Sequence, residues 1–103
     1  MLIITSDNIP GRNIQVLGLV KGNVVQSKNI GRDIMAGLKT IAGGEIKSYT
    51  QMLAEAREIA TSRMIQEAQA LGADAIISMR FAGSPVMDGA ADIIAYGTAV
   101  KML

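Results

Sequence analysis

One segment limits what this chain can fold into more than any other. From Ser48 to Gly72, apolar residues recur at three- and four-residue steps: Tyr49, Met52, Leu53, Ala56, Ile59, Ala60, Met64, Ala68 and Leu71. That period predicts an amphipathic helix with one buried stripe. Ser48-Tyr49-Thr50-Gln51 has the form of a capping box, in which the Ser and Gln side chains satisfy each other's backbone amides. Gly72 can close the helix in the left-handed conformation that other residues resist. At 1.5 Å per residue such a helix runs about 36 Å, enough to cross a whole sheet.

The flanking segments alternate with a period of two. Leu2 to Thr5 reads as a short strand, ended by the turn formers Ser6-Asp7-Asn8 and Pro10-Gly11. From Asn13 to about Gln26, Ile14, Val16 and Val20 fall on one face and Gln15, Leu17, Leu19 and Lys21 on the other. At about 3.3 Å per residue that strand would span roughly 45 Å. Gly18 and Gly22 are therefore expected to mark a bulge or bend in one strand, a hairpin turned at Lys21-Gly22-Asn23 being the alternative. Asn29 can cap a shorter helix from Ile30 to about Ala42, with Ile30, Ile34, Leu38 and Ile41 on one stripe and Gly43-Gly44 at its end. Asp74 to Ala82 alternates again, placing Ala75, Ile77, Met79 and Phe81 opposite Ile76, Ser78 and Arg80 until Gly83-Ser84-Pro85 breaks the pattern. Asp88-Gly89 predicts a tight hairpin turn. In the return strand, Ala91 to Met102, Ile94, Tyr96, Thr98, Val100 and Met102 share one face and Ile93, Ala95, Gly97 and Ala99 the other.

This order predicts a single α+β domain over residues 1–103, with an antiparallel sheet and a short and a long helix packed on one face. A monomer of 103 residues hides about 65% of the surface that its unfolded chain exposes, which leaves little margin. The strands are apolar on both faces, yet one layer of helix covers only one. Residues such as Leu17, Leu19, Ile76 and Ile93, or their alternates, would stay exposed on a monomer. Self-association with closed rotational symmetry is the simplest remedy.

Composition removes several chemistries. The chain has no Cys and no His, hence no thiol nucleophile, no ordinary neutral-pH proton shuttle and none of the commonest soft or borderline metal ligands. No Ser-His, Cys-His or paired-carboxylate constellation can be assembled, and Lys47-Ser48 is adjacent rather than suitably spaced, so an enzyme is not expected. No cofactor and no metal site are expected either. The seven Met read as adaptable core filler. Ten basic residues are dispersed among nine acidic ones for a net charge of +1, which gives no stripe for nucleic acid. The opening Met1-Leu2-Ile3-Ile4-Thr5 lacks the basic flank of a signal peptide, and no apolar run approaches membrane-spanning length, so the expected location is the cytoplasm.

Four residues stand out as candidate ligand contacts. Arg32 and Asp33 fall in the first turn of the shorter helix, where they cap and pair or grip an anion. Tyr49 offers a stacking ring beside the amides that open the long helix. Arg80 is the least expected charge, in a strand with apolar neighbours. It is a sheet-edge residue, an inter-subunit partner for a carboxylate such as Asp92, or an anion site. An enzyme would have to use an intersubunit site around Arg32, Tyr49 and Arg80.

The ordered set Gly31-Arg32-Asp33-Ile34, Gly43-Gly44, Lys47-Ser48-Tyr49, Ala54-Glu55-Ala56-Arg57, Leu71-Gly72-Ala73-Asp74-Ala75-Ile76-Ile77 and Tyr96-Gly97-Thr98-Ala99-Val100 resembles the YbjQ-like family of small prokaryotic proteins over nearly the whole chain. The resemblance implies a dodecin-like α+β subunit assembled into a pentameric ring, and it carries a heavy-metal-binding label. The label does not sit with a chain that has neither Cys nor His, because Asp, Glu, backbone oxygen or Met would have to serve as ligands. The partner implied is the chain itself, with a small ligand of unstated chemistry held between subunits.

Overall fold

The computed structural model describes residues 1–27 and 47–103. The expected short helix from Ile30 to Ala42, and with it Arg32 and Asp33, lies outside them. The long helix forms as α1, Lys47–Ala70. Ser48 stands within the described helix rather than ahead of it as a cap. Every fourth residue from Met52 onward, namely Met52, Ala56, Ala60, Met64 and Ala68, is buried. At the far end Ala73 N donates to Ala68 O and Gly72 N to Gln69 O, each at 3.0 Å. With Gly72 at φ 78°, these two bonds make a Schellman cap that satisfies the last carbonyls.

Four strands form one sheet in the order β1-β3-β4-β2. They are β1 (Leu2–Ile3), β2 (Ile14–Ser27), β3 (Ala75–Met87) and β4 (Ala90–Met102). β4 pairs antiparallel with both β2 and β3, but β1 runs parallel to β3, so the sheet is mixed rather than antiparallel. The parallel seat lets β1 seal both layers. Ile3 packs into the cluster under the helix, and the next residue, Ile4, packs into the cluster on the opposite face.

β2 is one strand, as expected, with no turn at Lys21-Gly22-Asn23. Gly83-Ser84-Pro85 does not end β3, which continues to Met87. Pro85 is tolerated there because that stretch of β3 has β4 on one side only among the described residues, so its missing N–H can face away from the ladder.

Two bulges overturn the expected faces. In β2 the register slips between Val16 and Gly18 opposite β4, with Gly18 at φ 142°. Ile14, Val16, Leu19 and Lys21 therefore share one face, while Val20, Gly22 and Val24 take the other. In β3 the slip falls between Ile77 and Arg80, where Ser78 adopts φ 53°, so Ala75 and Ile77 share a face with Arg80, and Ile76 joins Met79. The β4 faces are as expected.

The helix lies on Val20 and Val24 of β2, Ala95 and Ala99 of β4, and Ile76 and Met79 of β3. Small residues set its height. A Cβ at Gly22 would run into the Ala60 carbonyl oxygen and stand 2.5 Å from the Met64 amide nitrogen, so the α1 and β2 backbones touch at this point. A Cβ at Gly97 would stand 2.7 Å from Ile76 Cγ2 and 3.0 Å from Ile77 O. On the opposite face a second cluster of Ile9, Ala75, Ile77 and Val100 is roofed at one end by the loop after β1.

Candidate functional site

The sheet face turned away from α1 is the surface that the core leaves unfinished. Residues paired directly across neighbouring strands share a face, so the registers define its rows. Val16 lies opposite Val100, Leu19 opposite Thr98, Lys21 opposite Tyr96, Asn23 opposite Ile94 and Val25 opposite Asp92. From β3, Ala75, Ile77, Arg80, Ala82 and Ser84 complete the same five rows. Val16, Leu19 and Val25 are each about two-thirds exposed, at 64%, 66% and 66%. Of the four residues expected to be exposed, only Leu19 is. Ile76 is fully buried, and Leu17 and Ile93 pack against the helix-side core. The bulges part Leu17 from Leu19 and Ile76 from Arg80, because each slip puts the residues on its two sides on opposite faces, while Ile93 lies on the β4 face that the helix covers.

In the middle of this face Tyr96 on β4 is flanked by Lys21 on β2 and Arg80 on β3, both its direct partners. Tyr96 is 37% exposed. Arg80 is anchored rather than free to swing. Its Nη1 donates to Thr5 O at 3.1 Å and to Met79 O at 2.8 Å, which holds the head toward the β1 side. The bulge secures that same loop, since Ser78 N donates to Ser6 O at 2.9 Å, Met79 N to Ile4 O at 3.1 Å, and Ser78 Oγ to Asp7 Oδ1 at 2.9 Å. Neither Lys21 nor Arg80 pairs with a carboxylate among the described residues. Asp92, the carboxylate expected to serve Arg80 from a neighbouring copy, lies on this face two rows away within its own chain.

Tyr49 is half-buried in the first turn of α1. It belongs to the helix side of the sheet while Arg80 belongs to the other, so the structure does not bring these two candidates together. Sequence reasoning missed Lys21 and Tyr96 as neighbours of Arg80. The usable signal was there in the correct β4 face, but the bulge in β2 hid which of its residues lay opposite.

The outer edge of β2 is partly closed by α1 itself. Lys21 N donates to Glu67 Oε1 at 3.3 Å, the Arg63 guanidinium donates to the Asn23 carbonyl, and Gln26 Nε2 donates to Glu55 Oε2 at 3.2 Å. The first two bonds cover backbone groups at Lys21 and Asn23, which blunts an edge that would otherwise accept another strand. On the helix side of the sheet, Phe81 forms the floor of a wide-open groove walled by Ala54, Arg57, Glu58, Thr61 and Ser62. It brings together no set of groups with a shared chemical task.

Among the described residues the carboxylates stand apart, and four of them have partners. Asp7 accepts from Ser78, and Asp74 accepts from Met102 N at 2.8 Å while lying 3.9 Å from Lys101 Nζ. Glu55 and Glu67 serve β2. Among the described residues no three His, Cys, Asp or Glu gather, so they offer no donor set that fits a heavy metal. No helix among them is long and apolar enough to cross a membrane.

These features define an α+β domain with one long helix across one face of a mixed four-stranded sheet and the other face left largely open. The chain belongs to the YbjQ-like family, whose family model, described as "Putative heavy-metal-binding", matches residues 1–103. Similar relatives are UPF0145 proteins from Clostridium novyi, 55% identical with all of both chains covered, and from Thermotoga maritima, 58% identical over 99% of this chain and 97% of the relative. Another, from Photobacterium profundum, is 61% identical over 99% of this chain and all of the relative. A crystal structure of a protein of unknown function from Pediococcus pentosaceus has the same fold, with a TM-score of 0.65 at 17% identity, covering 100% of this chain and 98% of that one.

Proposed function

We propose that this chain is a non-catalytic, cytoplasmic subunit that assembles with copies of itself into a closed ring and holds a small ligand at the subunit boundaries. Five copies is the number that the family resemblance implies. The observation that carries the reading is the outer sheet face, where Val16, Leu19 and Val25 stand in the open on one strand, next to Ile94 and Tyr96. Apolar residues gathered in this way on a soluble chain mark a surface that another molecule covers. A second copy is the simplest occupant, and rotational symmetry is the usual way for identical subunits to close.

Absolute mass by light scattering on a sizing column, with the protein diluted stepwise, tests the reading. The expected result is a stable multiple of 10.8 kDa, five in particular. A monomer at micromolar concentration would end it. The family's metal label has no supporting observation in the described residues, and calorimetric titration with zinc, copper, cadmium and nickel ions is expected to give no binding heat.

A further inference from the structure

We propose that the Lys21–Tyr96–Arg80 row binds a small planar aromatic anion, a ring bearing a phosphate or carboxylate. Directly opposed residues on neighbouring strands hold their Cβ atoms about 5 Å apart, so the Lys21 and Arg80 side chains leave the sheet on either side of Tyr96. The ring supplies a stacking face, and its two neighbours supply the charge.

Size follows from the same spacing. Lys21 and Arg80 stand two strand intervals apart, about 10 Å between backbones. Arg80 is fixed toward Thr5 and Met79 through Nη1, and its other N–H donors are unclaimed among the described residues. A planar ring lying on Tyr96 sits between the two side chains and delivers its substituent to one of them. A guanidinium already held in place recognises a planar carboxylate or a phosphate through two donors at once.

The need for an anion rests on the assembly reading above. A neighbouring copy seated on this face would withdraw Lys21 and Arg80 from water, and a buried cation requires a counter-charge. Among the described residues, Asp92 on this face is four residues from Tyr96 along β4, about 13 Å, and Asp7, in the loop that holds Arg80, accepts from Ser78 Oγ; neither forms an ion pair with Lys21 or Arg80. A ligand that enters between subunits supplies the missing charge.

The test is calorimetric titration of the full-length protein with phenyl phosphate, benzoate and inorganic phosphate, with the mass of every sample measured in parallel. Phenyl phosphate is expected to bind about tenfold more tightly than inorganic phosphate, because only it can stack. Tyr96→Leu should remove that preference. Lys21→Gln and Arg80→Gln should each weaken phenyl phosphate about fivefold or more, while Lys101→Gln, outside this row, leaves binding unchanged. Asp92→Asn should not weaken binding. If Tyr96→Leu does not fold, the two glutamine variants decide the matter.

The proposal is overturned if no probe binds, if phenyl phosphate gains nothing over inorganic phosphate, or if both glutamine variants bind like the parent. A monomer that still binds phenyl phosphate removes the ring and keeps the site. A ring that binds none of the probes removes the site and keeps the ring.

Discussion

Gly22 shows how a single missing side chain sets the distance between the two layers. Its position would place a Cβ against the backbone of Ala60 and Met64, and backbone cannot rotate aside as a side-chain tip can. Gly22→Ala is therefore expected to lose about 3 kcal/mol of stability by overpacking. Gly72→Ala is the informative contrast. Nothing lies within 4 Å of its would-be Cβ, so only the left-handed backbone resists substitution, at about 1 kcal/mol. Urea unfolding of both variants by circular dichroism would measure the pair, and similar losses would mean that α1 does not rest on β2 as described. In the sequence Gly22 reads as a bulge or bend, or as part of a hairpin turn, because alternation reports faces and not the depth at which a helix lands.

At the scale of elements, α1 was legible because its stripe repeats over six turns and its terminator, Gly72, has a conformational reason to be there. The candidate site was legible only in part. Arg80 stood out as a charge among apolar neighbours, but Lys21 and Tyr96 become its neighbours only through pairing across three strands. One-residue bulges at Gly18 and Ser78 reverse the alternation without leaving a pattern that period counting can detect. Ser78 gave less warning than Gly18, being a non-glycine residue at positive φ. A small polar side chain tolerates that conformation better than a branched one, and its hydroxyl is tied to Asp7. Ser78→Val should cost about 2 kcal/mol from strain together with the lost hydrogen bond. Ser78→Gly, which relieves the strain while losing the same bond, should fall within about 1 kcal/mol of the parent. Thermal unfolding of the two would separate strain from hydrogen bonding, and a Val variant as stable as the Gly variant would contradict the bulge.

For the whole molecule, the helix-covered side, open at Phe81, and the open opposite side divide folding from the assembly proposed above. Val16 and Leu19 lie on the exposed side, so a Val16→Lys, Leu19→Lys double variant should keep its far-ultraviolet circular dichroism while its mass falls to that of one chain. An unchanged multimer would place the contact elsewhere. The slip in β2 lies across from Ala99 and the slip in β3 spans Gly97, so both flanking strands change phase at nearly the same height on β4. Chain length at these two points thus carries information that residue identity does not. Deleting one residue at Gly18 would send Leu19 and Lys21 beneath the helix and turn Val20 and Val24 outward, inverting the rest of β2 with no amino acid replaced. Within such a lineage, a one-letter gap at either point would be a larger event than many substitutions.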